Sequence, residues 1–219
     1  MFTVRSPSGD AYDVMVSWPE GSAPPEGWPA LWLLDGEDNF AFATATARRL
    51  ERARARSGVE PGVIIAIAAG TLQRRARDYT PAVPGYSIPV GTPGHGLPTG
   101  GADAFLAFVE NAIRPAVNAR WKIDPARQTL AGHSFGGVLA GHALISGGAF
   151  TRYALVSPSL WYGGEASPLD AAKDLAGKSI LLAEATATDK SDPRILAYAA
   201  QLERHHAAVR ILPLPGHDH

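Results

Sequence analysis

The chain has 219 residues, of which 46% are hydrophobic and 19% charged, and its formal net charge is −1. A balance so near neutrality argues against nucleic acid or an anionic membrane surface as a partner. The absence of cysteine excludes disulfides, thiolate metal sites and cysteine nucleophiles. No apolar run approaches the ~18 residues of a membrane span. The N-terminus also lacks the hydrophobic stretch of a signal peptide.

These features predict a single soluble domain over residues 1–219. We expect a cytoplasmic location, or a periplasmic one if an export signal has been trimmed.

Apolar runs bounded by Pro and Gly alternate with helical patterns along the chain. The alternation of apolar and polar residues over 12–18 predicts an early antiparallel strand. Apolar runs at 30–34 and 62–68 predict buried strands. Further strands are predicted near 127–132, 152–157, 179–184 and 209–214, with helical segments between them. Helices are predicted over 40–56, 102–119 and 137–145. Buried strands alternating with helices are typical of an α/β fold with a doubly wound, mostly parallel sheet.

The stretch from Thr71 to Gly101 carries several Pro and Gly residues and no predicted element. A loop that long inside a compact domain is usually functional or mobile.

The pentapeptide Gly132-His133-Ser134-Phe135-Gly136 lies between a predicted strand and a predicted helix. A strand, then G-x-S-x-G, then a helix is the context of a nucleophile elbow, where a serine on a strained turn projects from the sheet edge. The amide of Phe135, at the helix start, is then free to bind a developing oxyanion. An ordinary turn is the alternative, since the chain has 23 glycines. The flanking elements favour Ser134 as a nucleophile.

A serine nucleophile needs a general base, and in this fold the chain order is serine, acid, histidine. His217 and His219 follow the last predicted strand, which is where the catalytic histidine belongs. The alternative for both is a frayed terminus.

The acid should follow the strand predicted at 179–184. Glu184, Asp189 and Asp192 are available there. Asp189 lies at a distance from which a loop can turn back toward the histidine, whereas Asp192, before a proline, is typical of a helix start. Asp189 is the predicted acid, and each of the three has the alternative of a solvated carboxylate or a helix cap.

The loop Asp35-Gly36-Glu37-Asp38 follows the strand predicted at 30–34. A glycine at this point lets a backbone amide approach a reacting carbonyl, so Gly36 is the predicted second oxyanion donor, with an ordinary turn as the alternative. The three carboxylates lack the spacing of a calcium loop, so we expect no metal site.

Five segments, in this order, resemble one branch of the α/β hydrolases. They are Leu33–Gly36, Arg77–Pro81, Gly100–Phe108, Gly132–Gly137 and Ser157–Trp161. Over nearly its whole length the chain is similar to the putative-esterase branch that includes the ferric-siderophore trilactone esterases. The G-x-S-x-G element is shared by many hydrolases, whereas R-D-Y-T-P and G-G-A-D are much more specific to this branch.

The resemblance implies an α/β-hydrolase fold, Ser134 as nucleophile, a terminal histidine as base and the amides of Gly36 and Phe135 as oxyanion hole. The base of relatives lies in an Asp-His-Gly element, which matches Asp218-His219, so His219 is the predicted base. Relatives continue beyond this point into a closing helix, so the resemblance implies either that the sequence is truncated or that the base is loosely positioned. Some esterases of this type have active sites that resemble a Ser-His dyad without a clear acid.

The resulting prediction is a cofactor-free serine esterase whose partner is a small-molecule ester, most in line with a catecholate siderophore trilactone or its linear products. We expect Arg77 to pair with the anionic catecholate or ferric complex, with a structural salt bridge as its alternative. Trp161 and Tyr162 are expected to line the pocket. There are two alternative functions. One is a general carboxylesterase or acyltransferase with a long apolar groove, and the other is a binding protein with the hydrolase fold but no catalytic activity.

Overall fold

The computed structural model of the protein describes residues 1–164, 169–170, 173–186 and 190–217. Within these residues, eight strands form one sheet in the order β1-β2-β4-β3-β5-β6-β7-β8. The strands are β1 Phe2–Arg5, β2 Ala11–Ser17, β3 Trp28–Leu33, β4 Val63–Ile67, β5 Ile123–His133, β6 Arg152–Val156, β7 Ser179–Thr186 and β8 Ala208–Pro215. Strand β2 is antiparallel to both β1 and β4, and all pairs from β4 to β8 are parallel.

The helices join the parallel strands. They are α1 Gly36–Arg52, α2 Arg54–Ser57, α3 Leu72–Tyr79, α4 Ala102–Phe108, α5 Arg114–Asn118, α6 Phe135–Ile145 and α7 Pro193–Arg204. A π-helical turn, Val109–Ile113, connects α4 to α5. No helix among the described residues has the length and apolar character needed to cross a membrane.

The predicted doubly wound, mostly parallel sheet is confirmed. The two long predicted helices are present but divided: the first begins at Gly36 and breaks at Ala53, and the second contains the π-helical turn. Two elements were not predicted, namely strand β1 and helix α3. Helix α3 occupies the start of the stretch 71–101, where the sequence predicts no element.

The central strands explain why the sheet forms where it does. Every residue of β4, Val-Ile-Ile-Ala-Ile, is buried, because helices or loops cover both faces of this central strand. Trp32 of β3 is fully buried, and its indole N–H donates to Gln128 of β5 at 3.0 Å. Since parallel strands end at the same edge, the loops after β3, β5, β6 and β7 meet there.

Candidate active site

Ser134 lies on the sharp turn between β5 and α6. Its backbone has φ 57° and ψ −116°, a strained conformation for a residue other than glycine. The turn is tight enough that a Cβ on Gly132 would overlap the backbone of Gly136. The amide of Ser134 donates to the Val156 carbonyl at 3.0 Å, which anchors the turn to β6. This geometry is that of a nucleophile elbow.

Two helices begin beside this serine. Phe135 is the first residue of α6 and Gly36 the first of α1, so neither amide has an acceptor within its own helix. Asp35, just before α1, is left-handed with φ 52°, and its own amide donates to the Tyr79 hydroxyl at 3.1 Å. A Cβ on Gly36 would lie 3.0 Å from the backbone carbonyl carbons of Ala66 and Ile67, so the start of α1 packs closely against β4.

Arg75 of α3 joins the loop after β3 to the elbow. Its Nε donates to Asp35 Oδ1 at 2.7 Å and its Nη2 to Oδ2 at 3.0 Å, and Nη2 also donates to the His133 carbonyl at 2.9 Å. Burial opposes the charge on this guanidinium, but the hydrogen bonds and charge of Asp35 more than offset it, so the pKa of Arg75 is raised. The guanidinium also lies over the rings of Tyr79 and Phe135.

Arg77 lies in a different network from Arg75. Its Nε donates to Asp78 at 2.7 Å, and its Nη2 donates to Asp10 at 2.8 Å and to the Tyr12 hydroxyl at 3.3 Å. The hydrogen bond to Asp78 is the main reason that the pKa of Arg77 is raised. Arg77 is therefore held in a salt-bridge cluster against β2, which was the alternative to its predicted contact with substrate.

A cleft of about 380 Å³ opens beside Ser134. Its walls are mostly apolar and include Phe135, Trp161, Leu160, Leu72, Ile195 and Pro93. The rings of Phe135 and Trp161 lie 5.8 Å apart. Trp161 thus lines the cleft as expected, and Pro93 brings the irregular stretch before Gly101 to its rim.

Tyr162 lies behind this wall instead of in it. The residue is 2% exposed, and its hydroxyl donates to the Pro81 carbonyl at 2.9 Å. Its ring packs edge-on against Phe135 at 6.2 Å. Tyr162 therefore supports the aromatic wall and does not itself face the cleft.

Among the residues that the structure describes, the charged side chains lining the cleft are Arg75, Glu184, Asp192 and Arg194. Asp192 caps α7 by accepting the Arg194 amide at 2.7 Å, and it pairs with the Arg194 guanidinium at 2.6 Å. These hydrogen bonds from Arg194 lower the pKa of Asp192. Asp192 is thus a helix cap, as its position before Pro193 suggests.

Glu184, near the end of β7, has a different environment. It is 4% exposed, and its Oε1 accepts the Asp192 amide at 2.6 Å. Its Oε2 is buried and has no hydrogen-bond partner among the described residues. The other predicted members of the catalytic group, Asp189 and His219, lie outside the described residues, and His217 is exposed just after β8.

Two of the three carboxylates in the loop after β3 have protein partners. Asp35 pairs with Arg75, and Glu37 accepts the amides of Ala69 and Gly70 at 3.0 and 2.7 Å. Within the described residues, no group of three or more His, Asp or Glu side chains could hold a metal ion.

Two residues that the sequence reasoning did not select contact the elbow directly. Arg75 is one of them, and Ser159 is the other, with its hydroxyl oxygen 3.1 Å from the Ser134 hydroxyl oxygen. No helix is predicted over 72–79, so the sequence carries no signal for Arg75. Once the helix is known, its period places residues 75 and 77 about 200° apart around its axis. One arginine of the pair therefore had to face away from the other.

The strand order, the elbow serine and the cleft beside it define an α/β hydrolase. The protein-family model described as "Putative esterase" matches residues 6–216, and the chain belongs to this esterase family.

Several curated and solved proteins are similar to it. A siderophore triacetylfusarinine C esterase of Aspergillus fumigatus is 40% identical over 74% of this chain and 56% of its own length. A ferri-bacillibactin esterase of Bacillus subtilis is 31% identical over 89% of this chain and 67% of its own. A solved enterobactin hydrolase in complex with DFP is 26% identical, with a TM-score of 0.83 over 100% of this chain and 87% of that one. The chain thus spans about three fifths of the length of these two curated relatives.

Proposed function

We propose that the protein is a serine esterase that hydrolyses a siderophore ester, with Ser134 as nucleophile. The observation that carries this proposal is the position of Ser134, on a strained elbow beside a mostly apolar cleft lined by Phe135 and Trp161. The similarity to three siderophore-ester hydrolases supports the substrate class.

In the proposed mechanism, Ser134 Oγ attacks the ester carbonyl while His219 takes its proton. The amides of Gly36 and Phe135 donate to the oxyanion, each from the positive end of a helix. The tetrahedral intermediate then collapses, and the histidine returns the proton to the leaving alcohol. Water, activated by the same histidine, releases the acid and restores Ser134.

The carboxylate that orients the histidine is proposed to be Glu184, with Asp189 as the alternative. Glu184 is buried, lines the cleft and keeps one oxygen without a donor among the described residues. A buried, unpaired carboxylate oxygen is costly unless a donor meets it in the working state. A histidine N–H from the loop after β8 would be such a donor.

The charge that recognises an anionic catecholate is proposed to come from Arg194 and not from Arg77. Arg75 donates from Nε and Nη2 to Asp35 and the His133 carbonyl, so its charge is already neutralised by Asp35, and Arg77 lies in its own cluster. Arg194 lines the cleft with a side chain that is 59% exposed, so one edge of its guanidinium remains open to a ligand.

The test compares a ferric trilactone siderophore with a nitrophenyl ester, with products followed by chromatography. We expect a higher kcat/KM for the siderophore, and loss of both activities and of fluorophosphonate labelling in Ser134→Ala. Labelling that persists in Ser134→Ala would overturn the serine assignment. If Ser134 is labelled but kcat/KM is higher for the nitrophenyl ester, the protein is a general carboxylesterase. If the protein is not labelled and turns over neither substrate, it is a binding protein.

A further inference from the structure

Ser159 is joined to the proposed nucleophile twice. Its hydroxyl oxygen lies 3.1 Å from Ser134 Oγ, and its backbone amide donates to the Ser134 carbonyl at 3.3 Å. Ser159 is only 2% exposed, yet it also lines the cleft. A second hydroxyl is therefore held against the atom that would attack the substrate.

The turn after β6 fixes this contact. Ser157 adopts φ 39°, a left-handed conformation unusual for serine. Its amide donates to the Ala183 carbonyl at 2.7 Å, and its hydroxyl accepts the Ala185 amide at 3.0 Å. Both the backbone and the side chain of Ser157 are therefore hydrogen-bonded to β7. The conformation costs free energy that these two hydrogen bonds offset.

Helix α6 is also shaped to admit this turn. A Cβ on Gly137 would lie 2.9 Å from both Cα and Cβ of Pro158, so only glycine lets the turn approach the first turn of the helix. This close packing brings Ser159 into contact with Ser134. Gly137 is thus required for the contact between the two serines.

We propose that Ser159 is a further catalytic residue, whose hydroxyl donates a hydrogen bond to Ser134 Oγ as negative charge develops there. This inference rests on the proposed role of Ser134 as nucleophile. Ser134 gives its proton to the general base, so its oxygen is left as the acceptor in the contact with Ser159. The Oγ–carbon bond forms, the carbonyl π pair moves to the oxyanion, and the proton of Ser159 stays on Ser159.

While Ser134 Oγ loses its proton and its bond to carbon is incomplete, the oxygen carries partial negative charge. A hydrogen bond to such an oxygen is stronger than one to a neutral hydroxyl, so the contact favours the transition state of attack over the resting enzyme. Removing it should slow attack without weakening substrate binding. We expect Ser159→Ala to lower kcat by about tenfold. KM should stay unchanged, because the Ser159 hydroxyl is engaged with Ser134 and not with the substrate.

The experiment measures the rate constant for labelling by a neutral fluorophosphonate, together with kcat and KM for a nitrophenyl ester. Four variants are compared with the unaltered protein: Ser159→Ala, Ser159→Thr, Thr151→Ala and Ser134→Ala. Ser159→Thr keeps the hydroxyl and should label within about threefold of the original rate, whereas Ser159→Ala should label about tenfold more slowly. Thermal unfolding of each variant shows that it is folded before its rate is interpreted.

Thr151→Ala is the matched control, since it removes a hydroxyl just before β6, at the opposite end of that strand from the elbow, where Thr151 Oγ1 donates to the Ala126 carbonyl at 2.9 Å. It should lower the melting temperature but leave labelling nearly unchanged. Labelling of Ser159→Ala at the original rate, or an equal loss in Thr151→Ala, would overturn the inference. If Ser134→Ala is itself labelled, the proposed function fails instead, so the two failures are distinguishable.

Discussion

Arg75 and Asp35 form a two-pronged ion pair, with N···O distances of 2.7 and 3.0 Å, at the junction of the elbow and the start of α1. The side chains are 18% and 9% exposed. Because the same guanidinium also holds the His133 carbonyl, the pair fixes the two proposed oxyanion amides relative to each other. Their spacing depends on an interaction between residues forty positions apart in the chain.

Arg75→Gln is expected to lower both stability and catalysis. The substitution leaves the mostly buried Asp35 charge without its partner, which costs about 3 kcal/mol in the free energy of unfolding. It should also lower kcat for a neutral nitrophenyl ester by tenfold or more, since the oxyanion amides lose their shared anchor. Urea unfolding and steady-state kinetics measure the two effects. The double variant Asp35→Asn/Arg75→Gln should recover part of the stability, and a single variant as stable as the original would contradict the account.

Arg77→Ala is expected to reduce stability with little change in kcat/KM for either substrate. Arg77 holds the pKa of Asp10 below its ordinary value, chiefly through their hydrogen bond. A carboxyl group with a lowered folded-state pKa contributes stability above its unfolded pKa, and that stability is lost as the pH falls through the folded value. The stability difference between the variant and the original should thus be largest above about pH 5 and shrink toward pH 3. A loss of kcat/KM for the siderophore alone would instead show that Arg77 contacts the substrate.

Glu184→Gln tests the acid of the proposed triad. Loss of the carboxylate that orients a catalytic histidine lowers kcat by about 10⁴-fold in serine proteases, so a decrease of at least 10²-fold is expected here. Asp189→Asn is the matched variant and should lose much less. A large loss in Asp189→Asn with a small one in Glu184→Gln would reverse the assignment, and small losses in both would indicate a Ser-His dyad. Kinetics with the nitrophenyl ester suffice for each comparison.

His219→Ala is expected to abolish turnover nearly as fully as Ser134→Ala, because nucleophile and base act as a unit. His217→Ala should be milder. The two variants are compared by kcat for the nitrophenyl ester and by the fluorophosphonate labelling rate. If His217→Ala is the more damaging, His217 is the base and the assignment from the Asp-His-Gly element is wrong.

Arg194→Ala is expected to weaken kcat/KM for the ferric siderophore but not for the neutral ester. The guanidinium is 59% exposed, so solvent screens it, and a loss of about two- to fivefold follows from the strength of exposed ion pairs. The loss should shrink as salt is raised toward 1 M. Arg77→Ala serves as the cationic control. Equal losses on both esters would show that Arg194 acts only through its ion pair with Asp192 at the start of α7.

The sequence alone determined the fold class and the elbow, because both depend on contiguous residues. Alternation and apolar runs are local properties of a strand, and a glycine whose Cβ would overlap the backbone four residues later is a local steric demand. Strands β2 to β8 and the start of α6 therefore lie within a few residues of their predicted places. Strand β1 and helix α3 were missed because their stability comes from distant partners, as when the polar side chains of α3 meet Asp10, Tyr12 and Asp35.

Tertiary structure decided which residues of each motif reach the serine. Arg75 and Arg77 share one short helix, and only the packing of that helix sends one guanidinium to the elbow and the other to β2. Ser159 reaches Ser134 because β7 holds a left-handed Ser157 and Gly137 admits Pro158, which are contacts between three separate elements. No local pattern encodes such contacts, since the free energy that fixes them comes from atoms that meet only when the sheet has assembled.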